Sequence, residues 1–323
     1  MKVLITGANG FLGSHVAERL SAHDGVELRL MLRRSSLLDF LDGLGYERVD
    51  GDLRDDASLT DAARGVDTVI HLAGLVSALT EARYHEVNAR GTEALVGAAK
   101  AAGVQRFVYV SSLAALGPSR DGVTLPATPN PVSGYGRSKL AGEHAALAEK
   151  DAMSVVVVRP PAVYGERDRA LLPFYRIAKL GFVPVYGDGL RRLSFIHAHD
   201  VADAIIAAAL ADGLSGAVYT VCDGRTHTWR SLVEAYGKAA GRRLRILPVP
   251  TPLFALGGYA GGLAQWLIRK PVPLSSEEIS HMRAPAWLAD NDAINHDLGW
   301  QPRIDIEQGL AQAYRWYRQC GWL

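Results

Sequence analysis

Tyr135 and Lys139 stand four residues apart in Gly134-Tyr135-Gly136-Arg137-Ser138-Lys139, a stretch that becomes helical. Both side chains therefore point to one face, about one turn apart. A phenol titrates at about 10 in water and is a poor proton carrier at neutral pH. A neighbouring ammonium favours the ionised phenolate, so Lys139 is expected to bring the Tyr135 pKa down toward working range. Alone, a Y-x-x-x-K spacing equally describes a solvated helix face. Ser111-Ser112 changes its meaning: the pair closes the strand Phe107-Val108-Tyr109-Val110 and offers a hydroxyl to a substrate oxygen. The loop carrying Pro118, Pro126, Pro129 and Pro131 can return the chain to the same edge.

Such a site needs elements that hold it beside a reaction partner, and the N-terminus supplies them. Val3-Leu4-Ile5 is an apolar β-run that breaks at Gly7 and passes through Gly10 and Gly13 into the helical pattern of Val16, Ala17 and Leu20. Strand, glycine turn and helix start form the setting in which such a motif means dinucleotide binding. Gly7 and Gly10 let the backbone turn and approach a pyrophosphate, while Gly13 lets helix and strand pack together. The helix N-terminus presents free N–H groups and a positive dipole end to the phosphates. The second strand ends in Leu32-Arg33-Arg34-Ser35-Ser36, two guanidinium groups and two hydroxyls with no acid. Charge-assisted pairing of Arg with a 2′-phosphate favours NADP there, with NAD the alternative. Asp52, after the third strand, offers an acceptor to the adenine amine, although an Asp after a strand is also a common turn residue.

The wider chain agrees with that setting. Strands at Val3–Thr6, Glu27–Leu32, Tyr46–Asp50, Thr68–Leu72, Arg106–Ser111 and Ser154–Pro160 alternate with helices near Leu12–Ala22, Ala57–Ala63, Val87–Ala102 and Gly136–Glu149. This alternation implies an α/β fold with a doubly wound parallel Rossmann sheet. Ser154-Val155-Val156-Val157-Val158 shows no alternation, as a strand buried on both faces requires. After Pro160 the pattern loosens into short strands and helices, a smaller C-terminal α+β lobe for substrate. The expected division is residues 1–164 for the dinucleotide, with parts of 194–223 returning to that unit, and 165–323 for substrate.

Lys plus Arg (35) nearly balance Asp plus Glu (34), so no field draws nucleic acid or an anionic membrane, and a small-molecule substrate is the expected partner. Cys222 and Cys320 are far apart with no C-x-x-C, which suggests neither a disulfide framework nor a metal site and fits a cytoplasmic protein. No secretion signal precedes the first strand. Residues Ile246 to Ile268 carry no charge, but their prolines and Gly257, Gly258, Gly261 and Gly262 argue against a transmembrane segment and leave peripheral membrane contact a minor reading.

With these pieces in place, the chain resembles the extended short-chain dehydrogenase/reductase family over essentially its whole length. The likeness rests on Thr6-Gly7-Ala8-Asn9-Gly10-Phe11-Leu12-Gly13, Gly51-Asp52-Leu53, His71-Leu72-Ala73-Gly74, Val87-Asn88-Ala89-Arg90-Gly91-Thr92, Val110-Ser111-Ser112, Tyr135-Gly136-Arg137-Ser138-Lys139, Arg159-Pro160-Pro161-Ala162-Val163-Tyr164-Gly165 and Phe195-Ile196-His197-Ala198-His199-Asp200. It implies Tyr135 as proton donor or acceptor, Lys139 as its partner and holder of the nicotinamide ribose, and Ser112 rather than Ser111 as the catalytic hydroxyl. It further implies that the cofactor touches Gly7, Asn9, Gly10, Phe11, Leu12 and Gly13, then Arg33, Arg34 and Ser35, then Asp52, Leu53, Leu72, Ala73 and Gly74. Asn88, Ser111, Tyr135, Lys139, Pro160 and Val163 complete that set. His71, His197 and His199 have no catalytic counterpart and are read as structural. Family members often pair through two helices, here Val87–Ala102 and Gly136–Glu149, so a homodimer is expected.

Three departures narrow the activity. Nucleotide-sugar epimerases and dehydratases of the family usually read R-x-x-N-V-Y-G, whereas Ala162 replaces the Asn amide. They also tend to carry Arg two residues before F-[IV]-H, where this chain has Leu193 with Arg191 and Arg192 displaced. A dehydratase would want acids beside the catalytic hydroxyl, and Ser111-Ser112-Leu113 has none. The chain thus looks more like the dihydroflavonol reductase and 3β-hydroxysteroid dehydrogenase branch. The expected activity is NADP-dependent interconversion of a ketone and a secondary alcohol on an apolar substrate. A nucleotide-sugar epimerase retaining NAD and a non-catalytic dinucleotide sensor are the alternatives. Tyr164, Leu171, Phe174, Tyr175, Val185, Tyr186, Phe254 and Trp266 are mostly expected in the core rather than the pocket, and Gly257–Gly262 is either a lid hinge or a tight packing point.

Overall fold

A computed structural model of the chain describes residues 1–119, 128–250, 252 and 282–323. In chain order the elements that matter first are β1 (Lys2–Thr6), α1 (Phe11–Leu20), β2 (Glu27–Leu32), β3 (Glu47–Asp50), α2 (Asp56–Ala63), β4 (Thr68–His71) and α3 (Glu81–Tyr84). A π-helical turn, His85–Arg90, runs into α4 (Gly91–Ala101); β5 (Arg106–Val110), α5 (Leu113–Leu116), α6 (Gly134–Leu147) and β6 (Ser154–Arg159) follow. Next come β7 (Ala162–Tyr164), α7 (Leu172–Ala178), β8 (Phe182–Tyr186), β9 (Arg192–Leu193), β10 (Phe195–His197), α8 (Ala198–Leu210) and β11 (Val218–Thr220). The chain ends with β12 (His227–Thr228), α9 (Trp229–Ala239), β13 (Arg245–Val249), β14 (Ala286–Trp287), α10 (Asp292–Leu298) and α11 (Ile306–Gln319).

Seven strands form one sheet in the order β11–β6–β5–β4–β1–β2–β3, parallel at every pairing. Val3, Leu4 and Ile5 of β1 and Val155 to Val158 of β6 are fully buried, because helices cover both faces of the sheet. On one face Val16, Ala17 and Leu20 of α1 and Val201, Ile205 and Ala209 of α8 close the core. On the other, Leu59 of α2, Leu95 and Ala99 of α4 and Ala146 of α6 do so. The strand order changes direction at β1 and β4, so their C-terminal ends open the crevice in which such sheets bind ligands.

A third apolar cluster lies outside the sheet. Tyr164, Tyr175, Val185, Phe195, Tyr236 and Tyr317 are buried there, with the Tyr175 and Tyr236 rings stacked 4.7 Å apart. Tyr164, Tyr175 and Val185 are thus core residues, and Leu171 and Phe174 pack against them. Phe254, Trp266 and Gly257–Gly262 lie outside the described residues. So does most of the uncharged run from Ile246; its first residues form β13, which pairs in parallel with β8. Among the described residues, no helix is long and apolar enough to cross a membrane.

One expected helix differs in kind. The segment read as continuous from Val87 to Ala102 begins as a π-turn before becoming α-helical. The wider turn carries Asn88 inward to partners far along the chain, which local periodicity does not encode.

Candidate active site

Small residues bring α6 close to its neighbours and thereby place Tyr135 and Lys139. Ser133 caps the helix, its Oγ accepting from Gly136 N at 3.0 Å. A Cβ at Gly136 would lie 2.3 Å from Ala114 O, and one at Gly142 would lie 2.3 Å from Tyr109 Oη and 2.5 Å from Asn88 O. No larger side chain permits this approach without moving backbone. Ser112 is the side chain that meets the hydroxyl end of half-buried Tyr135, whose ring sits 6.0 Å from that of Tyr84. Ser112 Oγ in turn caps α5, accepting from Ala114 N at 3.1 Å.

Lys139 is buried, donating from Nζ to Val110 O at 2.8 Å and lying 4.3 Å above the Tyr109 ring. Burial lowers its pKa to about 7, against the opposing pull of Glu143. The expectation that Lys139 lowers the Tyr135 pKa is corrected here. Burial raises the phenol pKa, and the opposing influence is the Ser112 hydrogen bond, because the ammonium is turned to the Val110 carbonyl.

Glu143, one further turn along the face that carries Lys139, is a site residue the sequence reading missed. It is almost fully buried and accepts two hydrogen bonds from Arg159 at 2.8 and 2.5 Å, and one from Ser111 Oγ. The i, i+4 spacing from Lys139 was the available signal. Ser111, expected to meet the cofactor, spends its hydroxyl proton on Glu143 and keeps its acceptor lone pairs. Asn88 ties the crevice edge to α6, accepting from Leu75 N at 2.7 Å and donating to Leu75 O at 2.9 Å and Ser138 Oγ at 3.0 Å. His71 bridges Thr6 Oγ1 at 2.7 Å and Thr92 Oγ1 at 3.0 Å, joining β1, β4 and α4. Burial, with Lys139 nearby, lowers its pKa to about 3.

The glycine turn has the shape of a phosphate cradle. Gly7 has φ +75°, and a Cβ there would lie 2.7 Å from Ala73 N; at Gly13 it would lie 2.1 Å from Gly7 O. Gly10 caps α1 without a side-chain hydrogen bond, and no acid occupies the first turn. The first N–H groups of α1 are thus left for an anion. Asn9, Phe11 and Leu12 line that turn half-buried, as do Leu72 and Ala73 at the end of β4, with Gly74 exposed beyond them. Leu53 and Pro160 are buried, and Val163 packs against the core.

Arg33, Arg34 and Ser35 are exposed just beyond β2. Arg34 pairs with Asp50 at 3.3 Å. Asp52, expected to meet the adenine amine, is clasped by Arg54 through both carboxylate oxygens at 2.8 Å. That clasp holds its carboxyl down at about 2, and Oδ2, which accepts only from Arg54 Nη2, keeps a second lone pair. Arg191 reaches the Arg283 and Ala284 carbonyls and lies 4.9 Å from the Tyr186 ring.

This arrangement coincides with a family signature: the NAD dependent epimerase/dehydratase family matches residues 3–222. The chain belongs to that family. It is an enzyme of the extended short-chain dehydrogenase/reductase type, an oxidoreductase class. Among its relatives, the ceramide reductase of Caulobacter vibrioides is 31% identical over 321 residues, covering 99% of this chain and 96% of that one. The 4-hydroxy-2-methyl-3-oxo-4-farnesyl-3,4-dihydroquinoline-1-oxide ketoreductase of Stigmatella aurantiaca is 29% identical over 327 residues, covering 96% and 95%. A solved structure of MoeE5 with UDP-glucuronic acid and NAD superposes with a TM-score of 0.80 at 27% identity, covering 99% of this chain and all of that one.

Proposed function

We propose that this enzyme is an NADP-dependent carbonyl reductase, interconverting a ketone and a secondary alcohol on a small apolar substrate. The observation that carries the proposal is the Ser112–Tyr135 hydroxyl pair beside Lys139, at the edge that the glycine turn also opens onto. The cofactor, when bound, supplies the hydride. Gly7, Gly10 and Gly13 would hold its pyrophosphate on the α1 N-terminus, and Arg33, Arg34 and Ser35 its 2′-phosphate. Residues 1–164 form the dinucleotide unit in this proposal, and 165–323 the substrate lobe.

Ser112 donates to the carbonyl oxygen and polarises it. Tyr135 then delivers its proton to that oxygen, and its raised pKa keeps it in the donor form that reduction uses. Lys139 stands one turn away on the same helix, its Nζ held by the Val110 carbonyl. Leu193 stands where a diphosphate-binding Arg would be expected, the displaced Arg191 is committed to two backbone carbonyls, and Ala162 has no amide to offer a sugar nucleotide. Ceramide reductase and the quinoline-oxide ketoreductase are named for carbonyl reduction, which supports this reading.

The test is NADPH consumption across a panel of apolar ketones. Turnover of at least one ketone supports the reading; no turnover of any, with epimerisation of a uridine diphosphate sugar and NAD retained through purification, sinks it. The likeness to MoeE5 is what keeps that second reading in view. We further propose a homodimer through the face of α4 and α6.

A further inference from the structure

We propose that His15, Glu166 and His199 form a binding site for one divalent transition-metal cation of zinc-like preference, joining α1 to the segments that follow β7 and β10. Each of the three residues offers a ligand atom, and these atoms all lie within 4.8 Å of one another. They come from distant parts of the chain. β7 and β10 pair in parallel with His197 opposite Tyr164, so Glu166 and His199 both fall two residues past that register, on one edge. His15 on α1 faces them: its ring lies 4.9 Å from that of His199.

The hydrogen bonding shows a lone pair with nothing to meet. His15 Nε2 lies 3.0 Å from the Glu166 backbone carbonyl, which can only accept, so Nε2 carries the proton and Nδ1 holds the free pair. His15 is 1% exposed, and Nδ1 is buried without a partner. Glu166 Oε2 is likewise buried and unpartnered, although His197 Nε2 approaches to 3.3 Å out of line for a hydrogen bond. An orphaned buried acceptor costs about 1–3 kcal/mol, which a cation would remove. His197 has the place of an outer partner. Its Nδ1 accepts from His199 N at 3.3 Å, which leaves the ring proton on Nε2, 3.3 Å from Glu166 Oε2.

The donor types suit a metal. With the His15 Nε2 proton given to the Glu166 carbonyl, Nδ1 keeps its lone pair, and Glu166 Oε2 is a buried carboxylate oxygen without a hydrogen-bond partner. Two neutral imidazoles and one carboxylate make a donor set that zinc accepts at about 2.0–2.2 Å, leaving a fourth position for water. The cation of Arg167 near this site is balanced by its ion pair with Glu18. Lacking any cysteine, and drawn from three separated segments, the set has no spacing motif, which is why His199 reads as merely structural in the sequence.

Chelator-treated protein titrated with Zn²⁺ by calorimetry, with metal counted by elemental analysis, should take up one ion per chain. The melting temperature should rise with it. Glu166→Gln and His199→Val should each weaken uptake at least about tenfold while the metal-free variants melt close to the metal-free parent. Should either variant melt far lower, Zn²⁺ titration of the unsubstituted protein followed by imidazole nitrogen resonances decides instead, with His15 and His199 shifting together. Absence of stoichiometric uptake, uptake indifferent to both substitutions, or shifts confined to other histidines overturns the proposal.

Discussion

At the scale of single residues, the site separates groups that act from groups that hold. The proposed reaction puts Tyr135 in the first set, since its hydroxyl end meets Ser112 while α6 is anchored elsewhere. Tyr135→Phe should therefore reduce ketone turnover about 100- to 10,000-fold while dinucleotide affinity falls far less, measured by steady-state kinetics and fluorescence titration. His71 belongs to the second set. Its folded pKa near 3 lies below the unfolded value, so between pH 3 and 6.5 the unfolded chain binds the extra proton and stability rises with pH. Taken down to pH 5, the loss from this one buried ring is about 2 kcal/mol. Urea midpoints should fall from pH 7 to 5, and less steeply in His71→Gln. An equal slope in the variant would assign the acid sensitivity to other groups.

The same division holds for whole elements, where the absence of a side chain does the positioning. Gly13 and Gly97 both sit in helices, yet a Cβ at Gly13 meets Gly7 O at 2.1 Å and one at Gly97 meets nothing within 4 Å. Gly13→Ala should push α1 off β1 and weaken dinucleotide binding at least about tenfold by titration, a cost of overpacking. Gly97→Ala, exposed on α4, should instead stabilise by about 0.5–1 kcal/mol in urea unfolding. This contrast also explains what was legible in the sequence. The turn from Ile5 to Gly13 and the unbroken run Val155 to Val158 carry their own local physics, so strand, turn, helix and parallel sheet could all be read. Glu143 could not, because its meaning depends on Arg159 and Ser111 arriving from two other strands. The π-turn depends in the same way on Leu75 and Ser138 receiving Asn88. Two-residue strands such as β9, which pairs with both β12 and β14, have no periodicity to detect and exist only through those distant pairings.

For the molecule as a whole, the end of β1 ties the glycine turn to its neighbours across the sheet. Thr6 Oγ1 binds His71 and accepts from Ala73 N at 3.2 Å, so the dinucleotide edge is continuous from β1 through β4 to α4. A ligand seated there binds only the assembled fold and stabilises it by about 2.7 kcal/mol when present at a hundred times its dissociation constant. For a chain of this length that corresponds to a rise of roughly 5 °C in melting temperature. NADPH should produce it at lower concentration than NADH, because Arg33 and Arg34 stand exposed beyond β2 with no carboxylate at residues 33–36 to repel a 2′-phosphate. Arg33→Ala combined with Arg34→Ala should erase the preference by raising the NADPH concentration required while leaving the NADH curve in place. Equal shifts from both cofactors in the unsubstituted protein would instead make those guanidinium groups a solvated strand end, with Asp50 as the partner that Arg34 already has.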